Sequence, residues 1–206
     1  TDQIQPESGE ILIDGIHLQD SDSRPGFLHQ NPEYQILGTT VERDIAFGPE
    51  NRNTPRPEMQ ETVRKMLAYF ELEDCCDKSP GDLSGGEKQR TAIAGLLASG
   101  YSYLILDEPT SYLDYASRNQ LVAYVRQLVE NGIGILWITQ YAEEAELGDR
   151  VIELDFDSIK SDRHSEEFPV DLRLSREHKT EGVSLEDVRW EKPLLSVRAL
   201  EETPYN

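Results

Sequence analysis

The chain has 206 residues, enough to bury one hydrophobic core and leave room for an appendage. Acidic residues outnumber basic residues by 40 to 20, and the formal net charge of −20 opposes nonspecific contact with nucleic-acid phosphates. A nucleic-acid partner is therefore not expected, and no apolar run approaches the roughly 18 residues that a membrane-spanning helix needs.

Short strands and one helix are predicted in the first part of the chain. Apolar triplets predict strands at 11–13 and 26–28. The stretch 32–53 contains two glycines and two prolines, and this composition predicts loops. Apolar residues then recur at helical spacing, which predicts a helix over 57–70 with Thr54 or a neighbouring residue as its cap.

Helices and apolar strands alternate through the middle of the chain. Ser84 suits the position before a helix, and the Asn131-Gly132 pair suits the end of one. Because the strands are continuously apolar, this alternation predicts an α/β fold with a mostly parallel sheet. The predicted elements are a helix from Ser84 to Gly100, a strand at 103–106, a helix through 121–129, a strand at 133–139, a short helix at 142–147 and a strand at 151–154.

The character of the sequence changes after Asp155. Residues 157–181 are polar, charged and without periodicity, which predicts a linker. The segments 183–188 and 194–200 then alternate between apolar and polar residues, as strands do. Residues 182–206 are therefore predicted to form a C-terminal extension.

Two motifs indicate the chemistry. Ser84, Gly85 and Gly86 open a predicted helix, and the free amides at a helix N-terminus bind anions such as phosphate. Asp107 and Glu108 follow an apolar strand, at the edge where α/β sheets bind their ligands. Each motif alone is weak, because Ser-Gly-Gly usually forms a turn and an acidic pair is often a solvated strand end. Together they indicate the binding of a magnesium nucleotide.

Four motifs, in order, resemble those of the ATP-binding cassette (ABC) ATPases. Gln30 resembles the Q-loop glutamine, and residues 83–87 resemble the family signature. Residues 104–108 resemble the Walker B strand with its catalytic glutamate, and residues 111–114 resemble the D-loop. The segment 41–51 resembles the energy-coupling-factor branch, whose members import cobalt, nickel and vitamins.

The resemblance implies a P-loop NTPase-like ABC ATPase core over residues 1–156, with a helical signature subdomain at about 32–100. The family's phosphate loop, G-x-x-x-x-G-K-[ST], occurs nowhere in the 206 residues. We therefore expect an N-terminally incomplete domain that does not hydrolyse ATP alone. The extension at 182–206 is expected either to open a second cassette or to form an accessory tail, and the pattern leaves both open.

The resemblance also implies roles for individual residues, with ATP and Mg²⁺ as cofactors. Asp107 and Gln30 would hold Mg²⁺, and Glu108 would act as general base. Gln140 stands where the family has a catalytic histidine, and an amide there cannot carry positive charge, so impaired hydrolysis is expected. The residues implied to bind ATP or to couple its two sites are Gln30, Ser84, Gly85, Gly86, Glu87, Ser111 and Asp114.

The expected function is that of an ATP-binding subunit of an energy-coupling-factor importer, which takes up a metal ion or a vitamin. ATP lies between two cassettes in this family, so the expected partners are a second cassette, identical or different, and a transmembrane subunit. The chain would then be cytoplasmic and peripheral on the inner face of the cell membrane. The alternative is a non-hydrolytic interaction protein that completes a partner's ATP site through its signature motif.

Overall fold

A computed structural model describes residues 9–20, 24–155 and 158–164, together with the backbone of 195–198. The predicted strand at 183–188 and most of the predicted linker lie outside these residues. The strands are β1 (Glu10–Ile13), β2 (Ile16–His17), β3 (Gly26–Leu28), β4 (Tyr103–Asp107), β5 (Gly134–Ile138), β6 (Arg150–Asp155), β7 (Ser158–His164) and β8 (Leu195–Arg198). The α-helices are α1 (Val41–Asn51), α2 (Arg56–Tyr69), α3 (Gly85–Ala98), α4 (Tyr115–Glu130) and α5 (Ala142–Ala145).

The central sheet is parallel and has the strand order β3-β4-β5. Leu28 pairs with Leu106, and Asp107 pairs with Ile138, so the three strands end at the same edge. The residues that directly follow these strands therefore come close together, although they are far apart in sequence. This sheet and its flanking helices confirm the predicted α/β fold.

Two smaller antiparallel sheets accompany the central one. β1 pairs with β2 on one side and with β8 on the other, which confirms a strand within the predicted segment 194–200. β6 pairs with β7, so the predicted linker is wrong for Ser158–His164. The polar sequence of β7 gave no apolar pattern from which to predict a strand, and two of its charged side chains form cross-strand ion pairs with β6. These pairs are Arg150 with Asp162 and Lys160 with Glu153.

Helix α1 occupies half of the stretch 32–53, which the sequence predicts to be loops. The Thr40 hydroxyl accepts a hydrogen bond from the Arg43 amide and caps the helix. Buried Asp44 accepts hydrogen bonds from the amides of Leu37 and Gly38, at 2.7 and 2.9 Å, and so fixes the preceding turn. Burial raises the pKa of the Asp44 carboxyl, while these amide hydrogen bonds oppose the rise.

The start of helix α2 bears on a smaller prediction, that of its cap. The helix begins at Arg56, and its N-cap position is Pro55, a neighbour of Thr54 as the prediction allowed, but no side chain makes a capping hydrogen bond there. Proline has no amide hydrogen and a fixed φ, so Pro57 fits the first turn.

A continuous core joins the helices to the central sheet. Ile45 of α1, Ile93 of α3, Leu106 of β4 and Leu128 of α4 are fully buried within it. Burial of an aliphatic side chain of this size contributes about 1.5–3 kcal/mol relative to exposure. The core therefore fixes the signature helix α3 against the strand that ends in the carboxylate pair.

The close approach of α1 and α3 depends on Gly48. A Cβ atom at this position would lie 1.7 Å from Ser99 Oγ and 3.2 Å from Ser99 Cα. The side chain of Ser99 is itself held by a hydrogen bond from its hydroxyl to the Gly95 carbonyl, at 2.7 Å. Any side chain at position 48 must therefore push the two helices apart.

We expect Gly48→Ala to lower the free energy of unfolding by about 1–3 kcal/mol, because overpacking outweighs the better helix propensity of alanine. Urea unfolding followed by circular dichroism measures the change. Gly81→Ala is the control, since a Cβ there meets only Ser79 Oγ, at 3.9 Å. Equal stabilities of the two variants would show that the helices do not approach as described.

Candidate functional site

Three side chains from different parts of the chain donate hydrogen bonds to the carboxylate of Glu108. Its Oε2 accepts hydrogen bonds from Gln30 Nε2 at 3.1 Å, from Ser111 Oγ at 2.6 Å and from Gln140 Nε2 at 3.2 Å. Gln30 follows β3, Glu108 follows β4 and Gln140 follows β5. The parallel sheet thus places four of the sequence-predicted residues in direct contact.

The backbone of Glu108 is in the left-handed region, with φ at +44°. This conformation costs a residue with a side chain roughly 1–3 kcal/mol. Two hydrogen bonds maintain it, from the Glu108 amide to the Ile138 carbonyl at 2.9 Å and from the Ser111 amide to the Glu108 carbonyl at 3.1 Å. Strain of this kind collects at functional sites, where it aims a side chain in a particular direction.

Asp107 is the last residue of β4 and is half-buried beside Glu108. Among the described residues there is no group of three or more His, Cys, Asp or Glu side chains that could hold a metal ion. Magnesium in phosphate-transfer sites is bound through one or two carboxylates together with the phosphates of the substrate. Asp107 could supply one such carboxylate, and Gln30 could supply its amide oxygen, because the Gln30 nitrogen donates a hydrogen bond to Glu108.

The signature segment forms a complete capping box at the start of α3. Ser84 Oγ accepts a hydrogen bond from the Glu87 amide at 3.2 Å, and the Glu87 carboxylate accepts one from the Ser84 amide at 2.7 Å. The hydrogen bond from the Ser84 amide lowers the pKa of the Glu87 carboxyl, and the Ser84 side chain and Lys78, at 3.8 Å, add to the effect. Glu87 therefore shapes the helix terminus, and its predicted contact with ATP stays a prediction.

Gly86 permits close packing of α3 against α4, whereas Gly85 leaves room for ordinary van der Waals contact with the D-loop segment. A Cβ on Gly85 would lie 3.4 Å from the Tyr112 carbonyl, and a Cβ on Gly86 would lie 3.0 Å from Ser117 Oγ. Buried Gln89 on the same helix donates a hydrogen bond to the Pro109 carbonyl at 2.8 Å. The signature helix is thus joined to the loop that follows Glu108.

The two predicted D-loop residues have different surroundings. Ser111 contacts Glu108 directly through its hydroxyl. Asp114 is exposed and caps α4, since its carboxylate accepts a hydrogen bond from the Ser117 amide at 2.8 Å. That hydrogen bond lowers the pKa of the Asp114 carboxyl. The predicted part of Asp114 in coupling two sites remains a prediction.

Sequence reasoning missed three residues beside the site. Glu144, only 7% exposed, accepts hydrogen bonds from the hydroxyls of Thr110 and Thr139. Both threonines are close in sequence to predicted site residues, which is the signal that could have revealed them. Glu144 itself lies in a short acidic helix, where a solvated carboxylate is the ordinary expectation.

The structure is that of an α/β protein in which carboxylate and amide side chains meet at the carboxyl edge of a parallel sheet. The family described as ABC transporter matches residues 1–111. The chain belongs to this family. None of the helices in the part of the chain that is described is long and apolar enough to cross a lipid bilayer.

Two relatives of the chain are ATP-binding proteins named for energy-coupling factor transport and cobalt import. The energy-coupling factor transporter ATP-binding protein EcfA1 of Symbiobacterium thermophilum is 41% identical over 156 residues, which cover 72% of this chain and 54% of that protein. The cobalt import ATP-binding protein CbiO of Syntrophus aciditrophicus is 43% identical over 155 residues, covering 72% and 55%. The chain thus spans about half the length of the curated relatives it matches.

A solved structure is similar as well. CbiO1 of Clostridium perfringens, described as part of the ABC transporter complex CbiONQ, superimposes with a TM-score of 0.71 and 29% sequence identity. The superposition covers 78% of this chain and 68% of that one. The predicted family and fold are therefore confirmed.

The capping box predicts that the effect of a Glu87 substitution on the free energy of unfolding depends on pH. The pKa of Glu87 is lowered from its ordinary 4.5, so its ionised form stabilises the folded chain above that pH, and the contribution is lost as pH falls through the lowered value. We expect Glu87→Gln to lower the free energy of unfolding at neutral pH by about 1 kcal/mol. The difference from the unaltered chain should shrink as pH falls below 4.5.

Urea unfolding at a series of pH values measures this difference. Glu58→Gln is the matched control, because Glu58 lies in the first turn of α2, where no side chain makes a capping hydrogen bond. The capping account would be contradicted if the two variants had the same pH dependence.

Proposed function

We propose that this chain handles ATP at a site shared with a second cassette, in an importer of the energy-coupling-factor or cobalt type. The contact of Glu108 with Gln30, Ser111 and Gln140 carries the proposal. Sequence identity of about 40% to ATP-binding proteins of such importers supports it. A metal ion or a vitamin is the proposed cargo.

Asp107 and Gln30 are the proposed ligands of Mg²⁺. Both offer oxygen atoms at the carboxyl edge of the sheet, and a hard cation prefers oxygen. When bound, Mg²⁺ would neutralise charge on the phosphates of ATP. Asp107 is fixed by its place in β4, whereas exposed Gln30 follows β3 and is oriented through its hydrogen bond to Glu108.

Glu108 is the proposed general base. Three donors converge on its Oε2, so the orientation of the carboxylate is defined and its Oε1 is the oxygen that would accept a proton from water. Gln140 is one of these donors, and as a neutral amide it cannot become a cation. We therefore propose that Gln140 orients Glu108 but stabilises a γ-phosphate less well than the histidine of the resembled family.

Ser84, Gly85 and Gly86 are proposed to contact the γ-phosphate of ATP bound by the second cassette. Ser84 Oγ accepts the cap hydrogen bond, and its hydroxyl is proposed to donate to a phosphate oxygen when ATP is bound. The first amides of a helix have no partner within the helix, and exposed Gly85 presents one of them. Donors arranged in advance stabilise negative charge that develops during phosphoryl transfer.

A groove between α1 and α3 is the proposed docking place of a transmembrane subunit. Its volume is about 310 Å³. The exposed apolar side chains of Leu37 and Phe47 line it, together with Arg52 and Asp44. The groove follows the Q-loop, so a bound partner would lie next to the segment that carries Gln30.

A non-hydrolytic interaction protein is the second candidate. Gln140 favours it, because this amide occupies a histidine position and already faces Glu108 at 3.2 Å. In this case the chain would supply only its signature helix and its docking groove to an active cassette.

The first test is the addition of this chain to a complete cassette, such as EcfA1 of Symbiobacterium thermophilum, with ATP turnover as the readout. We expect turnover to rise with added chain, and Ser84→Ala to reduce the increase by about tenfold, because a phosphate donor is lost. Thr40→Ala is the matched control, since it removes a helix cap elsewhere in the chain. Absence of any stimulation at saturating chain would overturn the shared site.

The second test is calorimetric titration of the chain alone with Mg-ATP. We expect no binding at tens of micromolar protein, because the groups at the site are carboxylates and neutral amides, and no phosphate-loop lysine offsets their charge. Saturable binding would mean that other residues of this chain hold the triphosphate, and the shared-site proposal would be wrong.

A further inference from the structure

Glu144 is a buried carboxylate placed between two loops of the candidate site. Its Oε1 accepts a hydrogen bond from Thr110 Oγ1 at 2.6 Å, and its Oε2 accepts one from Thr139 Oγ1 at 2.7 Å. Thr110 is fully buried, and Glu144 is 7% exposed. A carboxylate is seldom buried without a specific arrangement of donors around it.

The two threonines connect Glu144 to the ends of two parallel strands. Thr110 is two residues after Glu108, and Thr139 is the residue before Gln140. Glu108 and Gln140 also contact each other, through side chains at 3.2 Å. Glu144 therefore closes a ring of hydrogen bonds that includes both loops.

A cation from α4 completes the surroundings of Glu144. Arg118 Nε lies 3.7 Å from Glu144 Oε1, and the Arg118 guanidinium lies over the ring of Tyr141 at 4.6 Å. The Thr139 hydroxyl also accepts a hydrogen bond from the Tyr141 amide at 3.1 Å. The charge of Glu144 is thus compensated, and the residue after Gln140 is held in place too.

We infer that Glu144 is a positioning residue, which sets the distance between Glu108 and Gln140 by holding Thr110 and Thr139 together. The use of this distance in ATP hydrolysis rests on the proposed function, whereas the positioning itself does not. Loss of the carboxylate would leave two buried hydroxyls without their acceptor and the Arg118 cation without its partner. The loops after β4 and β5 would then separate.

Two substitutions of Thr139 separate the effect of its hydroxyl from the effect of its shape. Thr139→Val keeps the branched shape but removes the hydroxyl, and Thr139→Ser keeps the hydroxyl. Nuclear magnetic resonance of the full chain without nucleotide reports the side-chain amide of Gln140 and the hydrogen exchange of the Glu108 amide. We expect Thr139→Val to shift the Gln140 resonance and to speed exchange at Glu108 by about tenfold. Thr139→Ser should leave both signals as they are in the unaltered chain.

Glu144→Ala should have the same two effects, more strongly. Glu143→Gln is the matched control, because Glu143 precedes Glu144 in α5 and is exposed. Should Glu144→Ala fail to fold, the Thr139 pair still decides the question. Unchanged Gln140 and Glu108 signals in a folded Thr139→Val or Glu144→Ala chain would overturn the inference. Because no nucleotide is present, failure of the proposed function would leave these signals as they are.

Discussion

Parallel pairing of β3, β4 and β5 is the constraint on which the candidate site depends. It brings Gln30, Glu108 and Gln140 to one edge, although 110 positions separate the first from the last. Because side chains alternate along a strand, a slip of one residue in register would turn Asp107 to the opposite face. The buried apolar residues of β4 prevent such a slip, so the hydrophobic core specifies the chemistry at the edge.

The signature helix is tied to the same edge by close packing. Gly86 lets α3 approach Ser117 of α4, and Gln89 donates a hydrogen bond to the carbonyl of Pro109. The position of α3 is therefore fixed relative to the loop that follows Glu108. Gly86 consequently has a packing role in this chain as well as its proposed contact with phosphate.

The alternation of helices with apolar strands predicted the parallel core. The resemblance to the ABC ATPases singled out Gln30, Ser111 and Gln140, but their contact with Glu108 emerged only from the structure. Sequence reasoning failed at α1, where Gly48 and Pro49 suggest a break although buried Val41 and Ile45 have helical spacing. Glu144 could not be predicted either. Its role depends on contacts between segments distant in sequence, and the polar pattern of a short helix does not encode them.

The left-handed backbone at Glu108 has an evolutionary consequence. Glycine adopts a φ of +44° without the steric penalty that a side chain incurs. Selection for thermal stability alone would therefore favour glycine at this position, at the expense of the carboxylate around which the site is built. At this position the backbone therefore favours glycine, whereas the hydrogen bonds from Gln30, Ser111 and Gln140 require the glutamate side chain.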